Sequence, residues 1–126
     1  MSEELRQIEQ IALDKVTDYE ISQGRKSIHE KKRGAGYDIL SDDRKIEVKG
    51  TIWKWKVNRS SFQYVSENER TNATHLYMVC DVRGEKELFI FEMEKIRHAL
   101  TPEIRYRLNF AKCREMESNE SKELHT

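Results

Sequence analysis

Apolar residues near the start of the chain recur at three- and four-residue steps: Leu5, Ile8, Ile11, Ala12, Val16 and Tyr19. That spacing predicts an amphipathic helix of about five turns. Ser2 is placed to cap it, Glu3 and Glu4 suit the positive end of its dipole, and Gly24 is placed to stop it. A basic loop is expected over residues 25–35. The period then changes from helical to two. Residues 36–51 read Gly-Tyr-Asp-Ile-Leu-Ser-Asp-Asp-Arg-Lys-Ile-Glu-Val-Lys-Gly-Thr, two β-forming runs around the polar residues Ser41 to Arg44, which is the pattern of a hairpin. A tight turn at Asp42 and Asp43 sets Asp38 opposite Glu47 and Ile39 opposite Ile46. Alternation then puts Asp38, Lys45, Glu47 and Lys49 on one face, with Tyr37, Ile39, Ile46 and Val48 on the other.

Further along, Trp53 and Trp55 alternate with Lys54 and Lys56, as in a continuing strand. Ser60 or Ser61 caps a second expected helix that runs to about Asn72, with Phe62 and Val65 inward and Tyr64, Glu67 and Glu69 at the surface. The apolar run 74–82 has the composition of a buried interior strand. A turn containing Gly84 leads from it into another strand, 86–93, and a short helix ends before Pro102. Ile104, Tyr106, Leu108 and Phe110 again recur at period two, predicting a strand with Arg105, Arg107 and Asn109 outward, at a sheet edge or an oligomer contact. The polar end of the chain has no buried stripe. The expectation is one domain over residues 1–115 and a disordered tail over 116–126. Helices and strands in this order describe an α/β sandwich, a central mixed sheet flanked by helices.

Composition narrows the function. The chain has 126 residues, 23 basic and 23 acidic, for a formal net charge of zero. Any grip on nucleic acid must therefore come from local patches rather than from an overall basic coat. Cys80 and Cys113 lack metal or disulfide spacing, and Cys80 sits in an apolar run as a small buried hydrophobe. No run approaches the ~20 apolar residues of a membrane span, so the expectation is an intracellular, cytoplasmic protein with no membrane partner. There is no glycine-rich phosphate loop, no Ser/Cys–His nucleophile signature and no dinucleotide fingerprint.

The candidate chemistry lies in the hairpin. Like charges set opposite each other across a ladder cost stability, and Asp38 faces Glu47 with Lys49 two residues on. Two readings are open. The polar face is simply solvated, its acids offset by Lys45 and Lys49, or the acids hold a divalent cation, since Mg²⁺ is typically bound by one or two carboxylates with phosphate oxygens. The Trp53–Lys56 stretch is similarly open between a tryptophan-covered sheet with a lysine-guarded edge and a surface for stacking bases and tracking phosphates. Glu20, at the margin of the first helix's stripe, reads on its own as an exposed flank residue.

Asp38, followed by Glu47-x-Lys49 on a hairpin that comes after a helix, resembles the PD-(D/E)xK nuclease superfamily. The longer string GYDI…IEVKGT, with Tyr19-Glu20 and Gly24-Arg25 upstream, is similar to the nuclease-like C-terminal domain of the plant NO VEIN protein and its prokaryotic relatives. The likeness spans roughly residues 10 to 95, much of a single domain. Tyr37, not proline, precedes the first acid. The resemblance implies a restriction-endonuclease-like fold and a Mg²⁺- or Mn²⁺-dependent nuclease acting on DNA. Asp38, Glu47 and the main-chain carbonyl of Val48 would hold the metal, Lys49 would position water, and Glu20 would supply a secondary contact. Lys31, Lys32, Arg33, Lys54, Lys56 and Arg59 are the expected nucleic-acid contacts, and a homodimer would suit double-strand cutting. The alternative is a catalytically inactive nucleic-acid- or protein-binding module on the same fold.

Overall fold

The computed structural model describes residues 2–57, 63–104, 106 and 108–125. Helix α1 (Glu3–Ser22) begins where the sequence predicts, with the Ser2 hydroxyl accepting from the Leu5 N–H at 3.2 Å. Three strands follow, β1 (Ser27–His29), β2 (Ile39–Ser41) and β3 (Arg44–Gly50); then come α2 (Glu67–Asn72), β4 (His75–Cys80), β5 (Glu87–Glu92) and α3 (Met93–Ile96). Two further short helices, α4 (Phe110–Glu115) and α5 (Asn119–Leu124), close the chain without burying a residue. The strands form one sheet in the order β1-β2-β3-β4-β5, with β3 and β4 parallel and the other neighbours antiparallel. The architecture is a mixed α/β sandwich. Among the described residues no helix is long and apolar enough to cross a membrane.

The hairpin register follows the alternation, with Ile39 paired to Ile46 and Ser41 to Arg44 across the turn at Asp42 and Asp43. Asp42 holds a positive φ of 50°, and its carboxylate accepts from the Lys26 N–H at 3.0 Å, tying the turn to the chain entering β1. Each sheet face carries its own apolar cluster. Ala12 and Val16 of α1 pack on Ile39, Ile46, Val48, Tyr77 and Val79. On the opposite face, Ala73, Leu76 and Met93 are covered by Tyr37, Val65, Phe91, Ile96 and Leu100. Two glycines set the spacing of these layers. A Cβ on Gly50 would lie 2.9 Å from the Ala12 Cβ, and one on Gly36, at φ 82°, would lie 2.7 Å from the Asn68 carbonyl oxygen.

Four expectations are corrected. Residues 25–35 are not all loop: Ser27–His29 form an edge strand paired with β2. Strand β3 stops at Gly50, and Trp53 and Trp55 lie in a bend and a 3-10 turn, because the main chain of this segment turns to meet Asp81 and Glu87 rather than a ladder partner. The second helix starts at Glu67, where Ser66 and Glu69 form a reciprocal capping box; the proposed caps Ser60 and Ser61, with Phe62, lie outside the described residues. The strand expected over 104–110 is absent among the described residues. Ile104, Tyr106 and Leu108 are exposed, and Asn109 caps α4, whose first residue is Phe110. Alternation makes a strand only where a neighbour accepts its ladder.

A buried carboxylate ties α1 to the sheet through Tyr77 of β4. Glu20 has no solvent exposure; Arg25 donates to both of its carboxylate oxygens at 2.7 Å, and the Tyr77 hydroxyl donates to one at 2.9 Å. Burial pushes the Glu20 carboxyl up, but hydrogen bonds from Arg25, Tyr77 and Ser41 together carry it below its ordinary value of 4.5. Its stabilisation is therefore present above pH 4.5 and is lost as pH falls through the lower folded value. Glu20→Ala is expected to destabilise the fold by roughly 3 kcal/mol at neutral pH, read by denaturant titration, since it leaves Arg25 and Tyr77 without their partner.

Candidate functional site

The site begins just ahead of β2. Asp38 lies just before Ile39, yet its main chain is pinned on both sides. Its N–H donates to the Ile46 carbonyl at 2.8 Å, and its carbonyl accepts from the Glu30 N–H at 2.9 Å. The side chain then takes over the next ladder position: one carboxylate oxygen, Oδ2, accepts the Val48 N–H at 2.8 Å. The N–H and C=O of one strand residue point to the same side, so the Val48 carbonyl also faces Asp38, past the end of β2.

Glu47 lies between Ile46 and Val48 and so points to the opposite face from their core side chains. It is 5% exposed. Burial first, then a hydrogen bond and like charge from Asp38, push its carboxyl up to about 9; Lys49 opposes this and Glu69 adds to it. The physical picture is a carboxyl that keeps its proton at neutral pH and shares it with its acidic neighbour. The Lys49 ammonium stands 3.6 Å from Glu47 Oε1 and 3.2 Å from Glu69 Oε1. Glu69 in turn accepts from the Ser66 N–H at 2.9 Å, which fixes the carboxylate that holds the lysine.

Asp38, Glu47 and Lys49 are therefore brought together, with the Val48 carbonyl alongside. Glu20 is not. The stripe of α1 that carries it packs on the other side of the sheet, where its oxygens are taken by Arg25 and Tyr77. Tyr37 also departs from its expected face: it precedes the strand, escapes its alternation and packs on the acid side, with the Lys45 ammonium 5.8 Å from its ring centre. Lys31, Lys32 and Arg33 are exposed on the loop leading into Asp38, and Lys54 and Lys56 are exposed after β3; Arg59 lies outside the described residues. Glu69 is the residue that sequence reasoning placed at the surface and the fold brings to the site. The Ser66-x-x-Glu69 capping signature was its one available signal, since it starts a helix whose first turn reaches Lys49. Among the described residues, no group of three or more His, Cys, Asp and Glu is placed to hold a metal ion, so the candidate donors are the acid pair and main-chain oxygen.

In comparison with known families, the family model described as Protein NO VEIN, C-terminal, fits residues 8–91. The chain belongs to the NO VEIN C-terminal family. The family match runs from within α1 to the end of β5 and takes in Asp38, Glu47, Lys49 and Glu69, as well as Glu20. The helices α4 and α5 lie beyond the NO VEIN match. No curated protein and no solved structure matches the chain.

The Glu47 proton has a measurable signature. A carboxyl raised from 4.5 to about 9 stabilises the fold fully below its unfolded value and loses that contribution as pH rises through about 9. The melting temperature of the metal-free protein should fall as pH rises from about 4.5 to about 9 and level off above that. Glu47→Gln, which keeps an uncharged group in place, should flatten that fall. Equal slopes in the two proteins would remove the buried proton.

Proposed function

We propose that this chain is a divalent-metal-dependent nuclease that hydrolyses phosphodiester bonds in DNA. The observation that supports the reading is the convergence of Asp38 and Glu47 on one sheet face, close enough to share a proton, with the Lys49 ammonium 3.6 Å from Glu47. The donor set fits a hard cation. Two carboxylates and a main-chain carbonyl are the oxygen ligands that Mg²⁺ or Mn²⁺ takes, and a site that holds a proton between acids is one where a cation can replace it. Asp38, Glu47 and the Val48 carbonyl would hold that ion, which when bound supplies Lewis acidity toward water and neutralises charge on the phosphate.

The chain's own groups do the remaining work. Asp38 is fixed by three main-chain contacts, two through its backbone and one through Oδ2, so its other oxygen is presented without reorganisation. Lys49 is the cation placed to orient the attacking water and offset negative charge building on phosphorus. Glu69 positions Lys49 by accepting from it at 3.2 Å. Lys31, Lys32, Arg33, Lys54, Lys56 and Arg59 would contact the DNA backbone, supplying locally the charge that the neutral chain lacks overall. Glu20, tied to Arg25 on the other face, has no part in this chemistry.

A second reading, a binding module without hydrolysis, draws on one feature: Lys49 is already held by the Glu69 carboxylate, with Glu47 beside it. The two readings separate cleanly. With Mg²⁺ or Mn²⁺, the wild type should cleave DNA, and Asp38→Ala and Lys49→Ala should each lose ~10²-fold or more of that activity while remaining folded. Calorimetric titration with Mn²⁺ should give heat for the wild type and none for Glu47→Gln. Retained cleavage in both Asp38→Ala and Lys49→Ala would reject the assignment. DNA binding that survives Asp38→Ala, with no Mn²⁺ heat in the wild type, would establish the binding module.

A further inference from the structure

The acid face of the sheet extends well beyond the acids. Strand register places Glu47, Leu76 and Phe91 in one row, and Lys49, Met78 and Phe89 in the next. Paired residues on neighbouring strands share a face, so Phe89 and Phe91 stand on the same side as Glu47 and Lys49, two strand spacings or roughly 10 Å away. Trp55 lies over them. Its ring stacks on Phe89 at 4.2 Å between centres and 24° between planes, and sits 6.1 Å from Phe91. Its main-chain N–H is held by Glu87 at 3.1 Å, yet the residue remains 46% exposed. A tryptophan with one face stacked and nearly half its surface open offers a ring to an incoming plane. Trp53 beside it is 55% exposed. Lys54 and Lys56, on either side of Trp55 in sequence, are exposed, and neither forms an ion pair among the described residues.

We infer that Trp55, with Trp53 next to it, is a shelf on which an unpaired base stacks, which makes single-stranded or frayed DNA the substrate class of the acid-pair site. The step rests on reading Asp38, Glu47 and Lys49 as a phosphodiester site. Three physical points support it. In a duplex the base faces are already stacked on each other, so only an unpaired base can meet an aromatic ring. Lysines flanking an aromatic plane are the pairing that tracks a single strand without reading its sequence. The span from Trp55 to the acids is about three nucleotides at the stacked rise of ~3.4 Å, and fewer in a stretched strand. A base held on the shelf thus places a phosphate of the same strand at the acids. An aromatic cap serving only the fold would be expected to bury its outer tryptophan rather than display it beside two cations.

The test uses the whole chain and needs no cleavage. The protein has two tryptophans, both in this segment, so all intrinsic tryptophan emission reports on it. With EDTA present, a single-stranded oligo-dT should quench that emission, and a duplex of equal length with hairpin-closed ends should not. Trp55→Ala should weaken oligo-dT binding about tenfold by fluorescence anisotropy, with Trp55→Phe restoring most of it. Trp53→Ala, at a more exposed position, should weaken it in the same direction and guards against a folding defect at Trp55. Equal quenching by duplex and single strand, or unchanged affinity in both alanine variants, would overturn the shelf. Adding Mg²⁺ to the wild type then separates the two proposals. Quenching without cleavage keeps the shelf and removes the nuclease, whereas cleavage of closed duplex and single strand at equal rates without quenching removes the shelf alone.

Discussion

A buried carboxyl set beside a second, half-buried one resists taking a charge, and the acid face of this protein is arranged around that constraint. Strand β2 begins one residue after Asp38, which completes the ladder to Val48 with a side-chain oxygen instead of a main-chain carbonyl. That substitution aims the carboxylate along β3, at Glu47. Helix α2 and the segment around it cover the same face, bringing Glu69 to Lys49 and leaving Glu47 almost wholly buried. Each element is ordinary alone. Together they push the Glu47 carboxyl up to about 9.

The two buried glutamates make the point by contrast. Glu20 is the more deeply buried, yet it is held below its ordinary value, because a bidentate guanidinium and two hydroxyls meet its oxygens. Glu47 rises instead, because no strong donor offsets its burial, Asp38 adds to the rise, and the Lys49 that opposes it is shared with Glu69. Burial is common to both; the partner decides the sign. The α1 face of the sheet thus carries a settled carboxylate, bonded to Tyr77 of β4, and the opposite face carries an unsettled pair of acids.

Much of this was legible in the chain. Alternation around Asp42 and Asp43 fixed the hairpin register, because a one-residue slip would have turned Ile39 and Ile46 to the polar face. Asp38 lies just outside that register, its N–H on the Ile46 carbonyl and its side chain on the Val48 N–H, and it still meets Glu47. Other features needed tertiary contacts. Helical spacing placed Glu20 at the edge of a buried stripe but could not say which side of the sheet that stripe would meet. Ser27–His29 became a strand because β2 offered an open edge, against a basic local composition. The Trp53–Lys56 alternation lost its ladder when the chain turned toward Asp81 and Glu87, and Ile104 to Leu108 never found one. Glu69 was hidden for a different reason: its position depends on where α2 docks, a property of the crossover between β3 and β4 rather than of any local pattern.

Gly50 sits directly after Lys49, and the space its missing side chain leaves is filled by Ala12 from α1. The back of the strand that carries Glu47 and Lys49 therefore rests against a helix with no slack between them. A bulkier residue at position 12 would wedge the helix outward one residue from the lysine, moving the ammonium without altering any group on the acid side. In this family, divergence in how the acid face behaves is thus to be sought on the rear helix as well as among the charged residues in front.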